Sequence, residues 1–238
     1  MRAQPFPEHL TGWTAEQVRA AEAPLLAAGE PLMRRAAAAL AEVVRDVLRD
    51  RARAVEQGPG ILVLAGSGDN GGDALFAAAE LAGKGARVSV IETGSRVHEG
   101  AAAAARAAGA RWVRLDDGLD HAAHDAAVIL DGILGIGGDS PALRGDARTA
   151  VARLRELLHL DDPAIVNPNR DARTARPAIV AVDLPSGVHA DDGSVPDTTV
   201  LPADVTVTFG AVKAGLLREP AARYAGEVRL VELGLERA

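Results

Sequence analysis

From Ile61 onward the chain carries short runs rich in Ile, Val, Leu and Ala, most of them without polar alternation. They are "ILVLA" 61–65, "RVSVIE" 87–92, "RWVRL" 111–115, "AVILD" 127–131, "AIVAVDL" 178–184, "DVTVTF" 204–209 and "EVRLVEL" 227–233. A strand with one wet face alternates in polarity. A near-continuous apolar run is buried on both faces, which requires helices above and below a mainly parallel sheet. Helical stretches do separate the runs, at 73–83, at the Ala-rich 100–108 and at 147–159. The pattern predicts an α/β fold of three layers, α/β/α, with a mainly parallel central sheet covered by helices on both faces. At 238 residues the chain fits one such domain, 1–238.

The segment 1–57 reads as helices packing on that sheet. Thr14 with Gln17 three residues on makes a capping box, "TAEQVRAAEAPLLAAG" follows, and Gly29 is the stop signal. A second helix opens at Pro31, where Leu32, Ala36, Leu40, Val43, Val44 and Val47 recur at three- and four-residue steps and form one buried stripe. Residues 160–177, "LDDPAIVNPNRDARTARP", are polar and Pro-rich and read as a surface insertion. The net charge of −7 and the scarcity of aromatic residues argue against nucleic acid or an anionic membrane as the main partner. No cysteine is present, which removes disulfides and thiol chemistry, and His121 and His124 lack a third partner for zinc. The start has no secretory pattern, so a cytoplasmic location is expected.

Open α/β sheets bind ligands at the carboxyl ends of their strands, and four strand ends here carry candidate chemistry. After the first strand, "GSGDNGGDAL" 66–75 satisfies the G-x-G-x-x-G fingerprint of a Rossmann-like phosphate loop, yet it holds Asp69, Asn70 and Asp73. Either acid could cap the following helix, but two caps are not needed. Asp131 ends another strand and Asp183 nearly ends a third, ahead of "PSG". Each could cap its own turn; together with Asn70 and Ser186 they favour oxygen ligands for a hard cation, with one carboxylate free to move a proton. The chain has only two lysines among 26 basic residues. Lys213 is therefore a candidate to face a ligand, with a surface role as the alternative, while Lys84 reads as a helix C-terminal charge.

Taken together, "LMRRAAAAL" 32–40, "GSGDNGGDAL" 66–75, "DGILGIG" 131–137, "VDLPSGVHADDGSV" 182–195, "ADVTVTFGAVKAGLL" 203–217 and "GEVRLVELGL" 226–235 resemble the NAD(P)H-hydrate epimerase family, the YjeF N-terminal domain. The resemblance implies an isomerase that interconverts the R and S forms of hydrated NADH and NADPH in nucleotide repair. It implies one potassium ion per subunit, held by Asn70, Asp131 and Ser186. It places the nucleotide against Asp69, Asn70, Gly71, Gly72 and Asp73, against Gly135, Ile136, Gly137, Gly138, Asp139, Ser140 and Pro141, and against Asp183, which would act as the general acid/base. It also implies a homodimer and a working link, or fusion, to an ADP- or ATP-dependent dehydratase. The sequence departs from the family pattern at Asp69, where Asn is usual, at Ala37, where Gly is common, and in the loop "GIGGDSPALRG". Two other readings stay open. One is an NAD-dependent oxidoreductase, with Glu92 as the ribose-binding acid 20 residues past Gly72. The other is a non-catalytic nucleotide-binding module.

Overall fold

The computed structural model describes residues 11–51, 60–138, 140–160 and 176–236. One sheet gathers seven strands: β1 (Gly60–Ala65), β2 (Arg87–Glu92), β3 (Arg111–Trp112), β4 (Ala126–Gly132), β5 (Ala178–Val182), β6 (Val205–Phe209) and β7 (Glu227–Val231). Their order is β3-β2-β1-β4-β5-β6-β7, and every neighbouring pair is parallel. The chain therefore builds outward from β1 on one side, then returns to β4 on the other. Ligand clefts open at such a reversal, outside the carboxyl ends of the strands.

The helices are α1 (Ala15–Ala27), α2 (Leu32–Arg51), α3 (Asp69–Gly83), α4 (Glu99–Ala107), α5 (Leu115–Asp125), α6 (Gly145–Leu157) and α7 (Ala222–Ala225), with a 3-10 turn at Ala214–Leu217. Alternate residues of β1 enter opposite cores, as the strand period of two dictates. Ile61, Val63 and Ala65 pack with α2, α3 and α4 through Leu40, Val44, Leu75 and Ala105. Leu62 and Leu64 pack with α5 and α6 through Leu119, Ala123, Val151 and Leu154. Burial on both faces is why β1, β5 and the body of β4 carry unbroken apolar runs, and why the two threonines of the equally buried β6 are hydrogen-bonded.

The capping box forms as the sequence predicts: Thr14 accepts from the Gln17 amide and Gln17 accepts from the Thr14 amide. A third apolar cluster then fixes α1 across the carboxyl rim of the sheet, joining Ala15 to Leu184, Val188, Val200 and Leu216. Backbone bonds secure the same junction, from Trp13 N to Val212 O at 2.8 Å and from Ala214 N to Trp13 O at 2.8 Å.

Three expectations need correction. The strand expected over 111–115 pairs with β2 only at Arg111 and Trp112, and Leu115 already opens α5. The helix expected from 73 begins at Asp69, so the glycine loop is itself the first turn of α3. The strand expected to reach 184 stops at Val182, because Asp183 turns into the left-handed region at φ 66°. The insertion expected at 160–177 falls almost wholly outside the described residues.

Candidate active site

A cleft of about 990 Å³ runs along the carboxyl rim of the sheet. Its floor is the exits of five neighbouring strands, with Thr93 and Gly94 after β2, residues 66–70 after β1, 133–138 after β4, Asp183 after β5, and Phe209 and Lys213 at β6. Arg19, Glu22 and Leu26 of α1 form a wall. The loops meet backbone to backbone. A Cβ on Gly66 would lie 1.8 Å from the Ile133 carbonyl oxygen, and one on Gly71 2.1 Å from the Gly66 carbonyl oxygen. Only glycine permits that approach.

Asn70 and Ser186 meet at the backbone of one residue, Leu134, and Asp131 joins them through Ser186. Asn70 Nδ2 donates to the Leu134 carbonyl at 2.9 Å, and the Leu134 amide donates to Ser186 Oγ at 2.9 Å. Ser186 in turn binds the fully buried Asp131 twice, through Oγ at 2.6 Å and through its amide at 2.9 Å. Asp131 also accepts a long bond of 3.4 Å from the Ile133 amide, so its turn-capping role exists but is the minor one. Burial raises the pKa of Asp131, and the Ser186 and Ile133 hydrogen bonds oppose that rise. Among the described residues none of the hydrogen-bond donors on this carboxylate is a charged side chain.

Asp183 is held differently. Its Oδ1 accepts from Thr208 Oγ1 at 3.2 Å, from the Phe209 amide at 3.3 Å and from Lys213 Nζ, while Oδ2 takes none of these bonds. Lys213, only 1% exposed, also donates to the Phe209 carbonyl at 2.8 Å. The expected alternatives fail here: Lys213 is not a surface lysine, and Asp183 does not cap the turn after β5. A left-handed aspartate costs on the order of 1–3 kcal/mol, and a backbone fixed in that state aims its carboxylate out of the strand line.

The acids of the glycine loop do not cap α3 either, since its N-cap is Gly68. Asp69 is exposed and lines the cleft, whereas Asp73 Oδ1 is buried without a hydrogen-bond partner. Burial, reinforced by Asp183, Asp69 and Glu22 and opposed by Lys213, pushes the Asp73 pKa up to about 8. Glu22 is raised by burial as well, against the pull of Lys213. A cleft that already crowds four acids around one lysine can accept a proton or a cation more readily than a further anion.

Among the other predicted contacts, Gly135, Ile136, Gly137, Gly138 and Ser140 line the cleft. Pro141 is half-buried outside that lining, where Leu143 and Arg144 stand instead, and Asp139 lies outside the described residues. Gly71 and Gly72 are buried packing positions, the latter against Met33 and His98. Glu92 does not reach the cleft: its Oε1 accepts from Trp112 Nε1 at 2.6 Å and from Arg106. Sequence reasoning missed Arg19, Glu22, Thr208 and Arg96. The step of three and then four from Arg19 to Glu22 to Leu26 was a usable signal, since it marks one helical face distinct from buried Ala15, Val18 and Ala21.

Comparisons with known proteins show the family and the fold. Residues 29–215 match the family described as YjeF-related protein N-terminus. The chain is 51% identical over 231 residues to the NAD(P)H-hydrate epimerase of Clavibacter michiganensis subsp. michiganensis, covering 94% of this chain and 91% of that relative. It is 51% identical over 234 residues to the NAD(P)H-hydrate epimerase of Microbacterium testaceum, covering 98% and 82%. The bifunctional NAD(P)H-hydrate repair enzyme Nnr of Mycobacterium tuberculosis is 36% identical over 229 residues, 95% of this chain but 42% of that protein. The crystal structure of yeast ynu0 shares the fold, with a TM-score of 0.70 at 20% identity over 93% of this chain and 87% of that one.

Proposed function

Because the chain belongs to the family of YjeF-related protein N-termini, we propose that it is an NAD(P)H-hydrate epimerase, converting the R and S forms of hydrated NADH and NADPH into each other. The observation that carries this reading is a single carboxylate, Asp183, held through one oxygen at the edge of a cleft large enough for a dinucleotide. The oxidoreductase alternative loses its ribose-binding acid, since Glu92 is engaged by Trp112 and Arg106.

In the reaction, Asp183 moves the proton at the ring hydroxyl. Lys213, Thr208 and the Phe209 amide keep Oδ1 fixed, leaving Oδ2 for the proton. The oxygen leaves as water, or the ring C–N bond opens, and the hydroxyl-bearing carbon becomes planar. In the first case water returns to the opposite face, and in the second the oxygen stays as a carbonyl and the ring nitrogen re-adds to its opposite face; either way the centre is inverted and the proton goes back to its starting group, so nothing is consumed. With its pKa pushed up to about 8, Asp73 can offer a proton to the nucleotide where an ionised acid would repel it.

The donor set around Leu134 suits a potassium ion. Asn70 spends one amide hydrogen on Leu134 and keeps Oδ1 for another partner, Ser186 Oγ retains a lone pair, and Asp131 supplies a buried carboxylate that no side-chain cation among the described residues balances. Bound there, the ion would supply positive charge beside the nucleotide. A homodimer, a cytoplasmic location and cooperation with an ADP- or ATP-dependent dehydratase complete the proposal. Among the described residues no helix is long and apolar enough to cross a membrane.

The test is Asp183→Asn, which retains an acceptor for Lys213. A loss of about 100-fold or more in epimerisation with the fold intact is expected for a removed general acid/base. Parent-like turnover would remove Asp183 from that role.

A further inference from the structure

The cleft is longer than the Asp183 end requires. Between the exit of β2 and that of β6 lie four strand spacings, about 19 Å at roughly 4.8 Å each. The acids and Lys213 that set the proton affinities of Asp73 and Glu22 belong to the glycine loop, α1 and the β5–β6 side. At the opposite end, Thr93 and Gly94 leave β2 against Ser67, and Arg96 lines the cleft beside them. Arg96 is exposed and makes no ion pair or side-chain hydrogen bond among the described residues.

In dinucleotide-binding sheets the end of the second strand reads the adenosine ribose: a carboxylate there accepts from a bare 2′-hydroxyl, whereas a guanidinium there receives a 2′-phosphate. This chain has the carboxylate at the expected place, but Trp112 and Arg106 hold Glu92 on the β3 side, away from the cleft. What faces the cleft four residues later is a cation. Resting on the proposed function, we infer that Arg96 is a specificity-determining residue that selects the 2′-phosphate-bearing dinucleotide, so that hydrated NADPH is preferred over hydrated NADH. A guanidinium forks onto phosphate oxygens with charge-assisted hydrogen bonds, and nothing in the described surroundings competes for it.

Calorimetric titration with NADP+ and NAD+ tests this on the intact chain, alongside epimerisation of the two hydrates. The parent should bind NADP+ about tenfold more tightly than NAD+, the worth of a hydrogen bond to a charged group. In Arg96→Ala the ratio of the two affinities should fall toward one, Arg96→Lys should restore part of it, and KM for hydrated NADPH should rise far more than kcat falls. Raised salt should narrow the parent's preference in the same direction. An NADP+/NAD+ ratio that survives Arg96→Ala, or a parent without preference, overturns the inference while leaving epimerisation untouched. A parent that prefers NADP+ through Arg96 yet inverts neither hydrate would instead remove the proposed function and keep the phosphate site.

Discussion

Asp183 and Lys213 form a buried ion pair, and removing one partner leaves the other charge without compensation. Lys213→Met should therefore cost about 3 kcal/mol in chemical denaturation, and adding Asp183→Asn should recover part of that loss, since breaking such a pair is worse than replacing it. Two independent, additive losses would contradict the coupling. Asp73 makes a different forecast. Its folded pKa of about 8 lies above the ordinary 3.8, so the folded state holds the proton more tightly than the unfolded chain. Its contribution is full below the unfolded value and is lost as pH rises through the folded one. At pH 9 Asp73→Asn should have a clearly higher Tm than the parent, and at pH 4 the two should differ little. An equal gain at both values would place the effect outside titration. At this scale residue types were legible and pairings were not. Asn70, Asp131, Asp183 and Ser186 declare themselves as polar groups beside apolar runs. That Lys213 reaches back 30 positions to Asp183, or that Trp112 takes Glu92, is a product of tertiary packing that no local spacing encodes.

Among the elements, the strands buried on both faces were the easiest to read, because desolvation keeps unpaired polar side chains out of β1, β4 and β5, the one acid in them, Asp131, being paired with Ser186. Edge position explains the error at β3. Two residues suffice to extend the sheet there, and the polar "LDDGLDHAAHD" that follows buries only Leu119, Ala122 and Ala123, too small a stripe to announce α5. The start of α3 was hidden for another reason. Gly71 and Gly72 are poor helix formers, yet their lack of side chains lets the first turn rest on Gly66 of the β1 loop and on Met33 and His98, while Gly66 itself abuts Ile133 after β4. Gly66→Ala should test that contact. Its new methyl would collide with a carbonyl rather than a yielding side chain, so a loss of about 3 kcal/mol in stability and weaker nucleotide binding are expected. A variant as stable as the parent would mean that the loops can separate. Thr14→Ala, by contrast, should cost about 1 kcal/mol, the ordinary worth of an N-cap.

For the whole molecule, the order of the strands brings distant stretches to one rim. The reversal between β1 and β4 sets Asn70 against Leu134, and β5 beside β4 delivers Ser186 to Asp131. Neither segment could hold an ion or a ring hydroxyl alone. Burying an uncompensated carboxylate at this junction makes sense if a cation completes it, so potassium should raise both Tm and turnover relative to an equal concentration of a bulky organic cation. Asp131→Asn should abolish that difference. The most direct measurement is to supply the purified protein with one diastereomer of hydrated NADPH and follow the other by chromatography, with potassium and without. Inversion far above the spontaneous rate, faster with potassium and lost in Asp183→Asn, is the predicted result. Inversion no faster than in buffer would contradict it.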